Sequence, residues 1–363
     1  MSGDLLKTPL HSWHAAHGGR LVDFAGWSMP VQYGSIVEEH QACRTSAGLF
    51  DVSHMGRLFF EGPGAEALLD RLLTRKISGL AVGKVRYSLI CNEDGGILDD
   101  VLAYRLIGTS GPAYFMLVVN ASNREKILAW VQQHNAGDVQ ITDRTAETAM
   151  IAVQGPRAPE LLASHVGIGL ADMGYYTATV SRVDRADAIV SRTGYTGEDG
   201  CELILHHEQA EPLWTALIAE GAQAVGLAAR DTLRLEAAMP LYGHELNETT
   251  NPYQAGLGFA VNLADRDFVG RSALERFQND ASQPQRVGLS LAGRRLPREH
   301  YGVFANDIQV GEVTSGTFSP TLQRPIAMAY VQPSAAAAGT QLMIDIRGAR
   351  EACEVVPLPF YKR

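Results

Sequence analysis

The sequence predicts an α+β fold, on three observations. Residues 85–91, 97–106 and 114–120 read as strands joined by short links, which makes an antiparallel meander. Helical patterns stand between and beyond the strands: 62–75 places Leu68, Leu69, Leu72 and Leu73 on one face, and 226–236 is amphipathic. A polar stretch at 278–285 precedes a strand-rich remainder broken by Gly and Pro, which reads as a separate small all-β domain. A length of 363 residues favours two or three domains.

In chain order, 22–27 is strand-like and ends at a turn before Pro30. Residues 35–47 read as a helix with Glu38, Glu39 and His40 on its wet side. The following stretch crowds Asp51, Ser53 and His54 together. A catalytic triad is not the reading, because triad members converge from distant parts of a chain and no G-x-S-x-G elbow is present. His54 reads instead as a hydrogen-bonded structural histidine. Ser122, with Glu125 three positions on, forms the signature of a capping box for a helix running to about His134. Asn120 stands just before it, either as a polar group held by rigid elements or as a turn-former. Residues 149–154, 188–193 and 201–205 read as strands, and 211–221 as a short helix. The connector 194–200 holds three glycines and two acids, enough to bring backbone N–H groups close to a ligand or to make a wide hairpin loop. Arg230 and Arg234 share a helix face, suited to a carboxylate ligand or to an internal ion-pair network. The stretch 314–321 reads as a loop.

Asp99 and Asp100 are the most unusual pair. Alternation sends them to opposite faces of one strand, Asp99 with Ile97 and Val101, Asp100 with Leu98, Leu102 and Tyr104. Both faces are apolar, so at least one carboxylate is poorly solvated and must neutralise, find partners or serve a site.

Composition narrows the function classes. A formal charge of -9 and a pI of about 5.7, without a Lys/Arg block, disfavour general nucleic-acid binding. The four cysteines, Cys43, Cys91, Cys201 and Cys353, form no CxxC pair, so zinc and redox motifs lack support and free thiols fit best. Neither GxGxxG nor GxxxxGK[ST] occurs. The start of the chain has no signal core and no apolar run spans a bilayer, so a cytoplasmic protein is expected.

Taken in register, several segments resemble the glycine cleavage T-protein family, tetrahydrofolate-dependent aminomethyltransferases. They are Asp23-Phe24-Ala25-Gly26-Trp27, Phe50-Asp51-Val52-Ser53-His54-Met55, Gly95-Gly96-Ile97-Leu98-Asp99-Asp100 and Gly194-Tyr195-Thr196-Gly197-Glu198. Ala229-Arg230-Asp231, Leu233-Arg234-Leu235-Glu236, Thr314-Ser315-Gly316 and Phe318-Ser319-Pro320-Thr321 complete the set. The resemblance implies three domains around a central folate-binding hole: a split first domain (1–50 and 158–245), an inserted second (51–157), and a C-terminal part (246–363) ending in a barrel or jelly-roll-like β domain. It implies transfer of the methylene carbon of an aminomethyl group from the lipoyl arm of H protein to tetrahydrofolate. Ammonia, 5,10-methylenetetrahydrofolate and dihydrolipoyl H protein would be the products, with P and L proteins as functional partners and no metal. Asp100 matches the family's critical aspartate, where an anion would stabilise an iminium-like carbon. Glu198 matches the acid on the pterin ring, Asn120 and Tyr87 other contacts there, and Arg230 the basic residue at the glutamate tail. Tyr361 would add a contact, and Met55 and Val118 would line the pocket. Relatives that support iron–sulfur cluster assembly carry a reactive cysteine in a Lys-Gly-Cys-Tyr-type motif, absent here. Those in sarcosine or dimethylglycine oxidising enzymes carry an FAD domain, for which no dinucleotide fingerprint appears.

Overall fold

The computed structural model describes residues 4–109 and 111–363. The chain packs into two compact units of interleaved segments. The first comprises Met1–Asp70, Lys76–Ser88 and Val101–Arg230; the second comprises Arg71–Arg75, Leu89–Asp100 and Asp231–Arg363.

The first unit is built on a six-stranded sheet. Its strands stand in the order Ala178–Val183, Ala186–Ser191, Gly200–His206, Thr148–Gln154, Gly48–Asp51 and Gln223–Ala224. The two faces differ in kind. Leu49, Ile151, Val153, Cys201, Leu203 and Val190 join an apolar core with Leu213, Trp214 and Leu217 of the helix Ala210–Ala219. The opposite face carries Phe50, Ala152, Glu202 and Ser191, aligned across four strands in one row. These four are also buried, so this face is dry but polar.

The meander forms with its middle strand as expected. Val85–Cys91, Ile97–Ile107, Ala113–Val119, Gly56–Glu61 and Gln140–Asp143 follow one another in a five-stranded sheet. A hairpin joins Arg20–Phe24 to Trp27–Gln32 through Ala25 and Gly26, both at positive φ, the geometry of a tight two-residue turn. The single strand expected at 22–27 is thus split by this turn, and in place of the turn expected before Pro30 the second strand runs on. It continues through that residue, opposite Leu21 and beside a bulge that relaxes the demand for a ladder N–H.

Three further expectations are corrected. The helix Ile36–Thr45 is capped by the Ser35 hydroxyl, which accepts from the Glu38 N–H, but Glu39 and His40 are buried and only Glu38 is wet. Glu39 is stable there because Oε1 accepts the Tyr33 and Gly34 N–H groups, at 2.8 and 3.0 Å, and Oε2 accepts the Gly226 N–H at 2.8 Å. The helix expected from Ser122 starts at Arg124, because Ala121–Asn123 forms a single 3-10 turn. Asn123 is then the cap residue and makes no side-chain cap bond, so Ser122 never reaches the capping position. The loop expected at 314–321 is largely strand: Ile308–Ser319 runs as one twelve-residue element. A register shift between Val313 and Ser315 absorbs Thr314.

In the second unit, the strands Gln285–Leu291, Arg324–Val331, Ile308–Ser319, Gly302–Ala305, Gln341–Ile346 and Ala349–Val356 close into a barrel, in that order. Leu289, Val313, Ala329, Ile344 and Val355 fill its core. The helix Arg271–Gln278 ends where the polar linker begins. Among the described residues, no helix is long and apolar enough to cross a membrane.

On the first unit, His165 donates Nδ1 to Asp184 at 2.9 Å and Nε2 to Glu220 at 3.0 Å, tying a strand turn to the end of the helix Ala210–Ala219. Burial opposes its charge, but the two carboxylates outweigh burial and raise its pKa. The bridge therefore contributes fully below the unfolded-state pKa of about 6.5 and fades as pH rises through the folded value. His165→Gln is expected to lower the melting midpoint by roughly 1–3 °C at acidic pH, the carboxylates being half exposed. At alkaline pH the two melting curves should coincide; a constant offset across pH would refute the ionic account.

Candidate active site

The polar face of the six-stranded sheet collects groups that an ordinary core excludes. Next to the row Phe50–Ala152–Glu202 lies a second row, Gly48–Gln154–Gly200. Gln154 is fully buried. Its Nε2 donates to the Thr193 carbonyl at 3.1 Å, and its Oε1 accepts from the Thr196 hydroxyl at 3.0 Å. A Cβ at Gly194 would run into that amide, and one at Gly200, where φ is +155°, would meet the Val153 carbonyl. The glycines of 194–200 thus let the connector lie flat on the sheet, as close backbone approach requires.

Glu198 is held at the end of this connector. Arg44 donates to it at 3.1 Å and to the Thr196 carbonyl at 2.7 Å. The pair is almost fully buried, so the carboxylate is fixed in place rather than mobile. Cys43 stands behind it, and burial pushes its thiol up to about 12.

Arg230 behaves differently from its neighbour Arg234. The Arg230 guanidinium lies over Tyr195 at 4.8 Å and over Phe50 at 5.9 Å. Among the described residues it makes no side-chain hydrogen bond or ion pair, and its Nη1 is buried without a partner. Burial lowers its pKa, opposed by the charge of Glu202. A desolvated cation held by two rings, with a donor left unbonded, is ready to donate to a ligand carboxylate. Arg234, four residues on, is consumed internally. It bonds Asp231 at 2.8 Å, Glu245 at 2.9 Å and Ser315 at 2.7 Å. Glu245 also accepts from Thr314 at 2.6 Å. Burial opposes ionisation of Glu245, but Arg234 and these donors hold its pKa below the usual value. Glu236 likewise accepts from the Ser319 and Thr321 hydroxyls and from the Thr321 N–H. The segments 233–236 and 314–321 are therefore each other's partners in the second unit, and the ion-pair reading is the right one for Arg234.

The remaining candidates fall in two places. Met55 precedes and Asn120 follows the register pair Gly56↔Val119, so they share one end of the five-stranded sheet. Val118 is buried beside them on the same strand as Val119, and Tyr87 is half-buried. The loop holding Met55 is pinned by Arg57, whose guanidinium donates to the carbonyls of Ser53, Met55, Thr145 and Thr148. No sequence pattern had singled out Arg57, because a fully buried arginine on a strand looks like any exposed one. Asp100 and Tyr361 belong to the second unit. Of the aspartate pair, Asp99 is fully buried and Asp100 is half-buried, so Asp99 is the dry carboxylate. The Tyr361 N–H donates to the Glu236 carbonyl at 2.8 Å.

The triad reading fails on geometry. Asp51 pairs with His14 at 2.9 Å rather than with His54, and the Ser53 hydroxyl is bonded to the Met150 backbone. Although burial would raise the Asp51 pKa, hydrogen bonds from His14 and Ser53 outweigh it and bring the value to about 2. His54 is buried, as a structural histidine is, but among the described residues its Nδ1 has no hydrogen-bond partner, which corrects the expected bond. Burial keeps it neutral, with a pKa of about 4, edge-on to Phe24.

The chain matches the model of the GCVT N-terminal domain over residues 10–265. It matches that of the glycine cleavage T-protein C-terminal barrel domain over residues 285–362. The chain belongs to the glycine cleavage T-protein family. Relatives of this family named aminomethyltransferase include that of Rubrobacter xylanophilus, 50% identical over 99% of this chain and 95% of that protein. The protein of Streptomyces coelicolor is 50% identical over 100% of this chain and 99% of its own length, and that of Geobacillus kaustophilus is 46% identical over 99% of each. Among solved T-protein structures, the glycine cleavage system aminomethyltransferase T of Bartonella henselae superposes with a TM-score of 0.92. It is 36% identical and covers 99% of this chain and 98% of that one. Among the described residues, no cluster of three or more His, Cys, Asp or Glu is placed to hold a metal ion.

All four cysteines of this T-protein family member are buried. Burial pushes Cys201 up to about 11 and Cys353 up to about 12, and raises Cys91 further. None resembles the low-pKa, accessible thiol that reactive chemistry needs. A chromogenic disulfide reagent at neutral pH is expected to titrate no thiol quickly in the native protein and four after denaturation. A fast native thiol would contradict this.

Proposed function

We propose that this chain transfers the methylene carbon of an aminomethyl group from the lipoyl arm of H protein to tetrahydrofolate. The C–S and C–N bonds of the donor break, and two bonds from carbon to folate nitrogens form. The two protons displaced from those nitrogens leave on ammonia and on the freed thiol. The products are 5,10-methylenetetrahydrofolate and dihydrolipoyl H protein, and the physiological role is glycine catabolism alongside the P and L proteins.

The observation that carries the reading is Arg230, a buried cation held between Phe50 and Tyr195 whose Nη1 has no hydrogen-bond partner among the described residues. Tetrahydrofolate ends in a glutamate tail whose carboxylate suits that site. Glu198, fixed by Arg44, offers an acceptor for the N–H groups of the pterin edge. Met55, Val118, Tyr87 and Asn120 would complete the pocket wall, and Tyr361 would add a contact from the chain end. Asp100 is assigned the chemistry: its carboxylate stabilises positive charge on the migrating carbon and orients a folate nitrogen.

The test is reconstitution of the purified chain with tetrahydrofolate and aminomethylated H protein, scored for ammonia and methylene-tetrahydrofolate. Both products are expected in equal amounts. Asp100→Asn should lower the transfer rate by about a hundredfold or more while leaving folate affinity within a few-fold. Wild-type transfer by that variant would remove the catalytic role from Asp100, and failure of the unaltered chain to form either product would remove the proposed reaction.

A further inference from the structure

A notch in the outer wall of the barrel holds the end of the chain. On the strand Gln285–Leu291, Val287, Leu289 and Leu291 turn into the barrel core, so Arg286, Gly288 and Ser290 turn outward. Gly288 stands in register with Val356 on one side and Met328 on the other. It is not at positive φ, so its backbone does not demand glycine. Space does. A Cβ there would come within 2.6 Å of Leu358 Cδ2 and 3.0 Å of the Phe360 ring. Gly288 faces out of the barrel and is nonetheless buried, because the last residues of the chain cover it.

Alternate side chains hold this tail. Pro357 and Pro359 are exposed, whereas Leu358 and Phe360 are half-buried over the notch. Prolines carry no N–H, so the stretch cannot pair as a regular strand and depends on its side chains. Phe360 packs against Leu235, Ile326 and Met328, a cluster separate from the barrel core. The next residue is Tyr361, whose N–H donates to the Glu236 carbonyl at 2.8 Å. Glu236 is itself fixed, since its carboxylate accepts from the Ser319 and Thr321 hydroxyls. Beside Phe360 a cleft of about 210 Å³ remains, lined also by Leu322, Ile326 and Pro357. One water occupies roughly 30 Å³. The ring therefore has room to swing aside, and a methyl group added at Gly288 displaces the tail at less cost than it would distort the strands.

We propose that Gly288 is a positioning residue that acts through Tyr361: the notch between Val356 and Met328 seats Leu358 and Phe360, and the seated tail fixes where the Tyr361 side chain meets bound folate. This deepens the reading of Tyr361 as a folate contact and rests on it. With the seat filled by a methyl group, the last residues would have to be ordered by the ligand at the moment of binding, which costs affinity. The carboxylate assigned the chemistry is untouched. Loss of the seat therefore raises KM for tetrahydrofolate and spares kcat.

The experiment is steady-state transfer by the full chain from aminomethylated H protein, with tetrahydrofolate varied. Gly288→Ala is expected to raise KM for tetrahydrofolate roughly three- to tenfold, the worth of one polar contact, with kcat within about twofold of wild type. Combined with Tyr361→Ala it should lose no more than Tyr361→Ala alone, because both act through one contact. Adding Leu358→Ala, which removes the first atom the new Cβ meets, should restore much of the loss. Phe360→Ala loosens the same seat from the tail side and is expected to reproduce the KM increase, which keeps the idea testable if Gly288→Ala fails to fold. Wild-type KM in Gly288→Ala, or losses that multiply in the double variant, would overturn the seat. Tyr361→Ala separates the two levels. A raised KM in that variant beside an unaltered Gly288→Ala leaves the Tyr361 contact standing alone, and wild-type KM in Tyr361→Ala overturns both.

Discussion

A buried guanidinium with an unbonded donor, Arg230 between Phe50 and Tyr195, is the feature on which the functional account depends. A buried cation is costly unless something compensates it. Two aromatic faces supply part of that compensation. The charge of Glu202 supplies another part, and an unbonded donor is left for a ligand. The six-stranded sheet makes this possible because its two faces do opposite things. One is filled by aliphatic side chains and Trp214, and gives the unit its stability. The other is dry but polar, so each carboxyl, amide and hydroxyl on it is placed by its partners: Glu198 by Arg44, Gln154 by Thr193 and Thr196, Glu202 by Thr193.

Arginines on one helix illustrate how context divides identical chemistry. Arg230 and Arg234 are one turn apart on the helix Leu227–Glu236. The second is saturated by Asp231, Glu245 and Ser315, and serves the architecture of the barrel-bearing unit. The first is left open. Arg57 shows a third use, with its donors spent on backbone carbonyls that shape the loop before Gly56. Residue type fixed what each could bond; packing decided what was within reach.

Much of the fold was legible beforehand. The meander, the linker and the all-β C-terminal unit follow from alternation, turn residues and composition, which are local signals. The errors share a physical origin. Glu39 and His40 look like a wet helix face, yet three backbone amides from outside the helix satisfy Glu39. Thr314 to Ser319 looks like a loop because its polar residues point at Glu245, Arg234 and Glu236, partners invisible from its own sequence. Ser122 matches a capping pattern, but a 3-10 turn moves the helix start past it. Of the candidate site, the residue types and their family register could be read, and Asp99 and Asp100 stood out as a misplaced pair. Which of the two is dry could not be read, because alternation only says that they differ.

By itself, the sequence determined the periodicities, the glycines that permit close approach at 194–200, the absence of nucleotide-binding loops, and the family. Tertiary structure alone decided that His14, not His54, pairs with Asp51, that Arg230 stays open while Arg234 is saturated, and that Glu202 shares a buried sheet face with Phe50, two strands away. The physical reason is range. Backbone preference and side-chain periodicity act over a few residues and are written in order along the chain. The charge state and partners of a buried polar group are set by whatever folding brings within a few ångströms, from positions that can be a hundred residues apart.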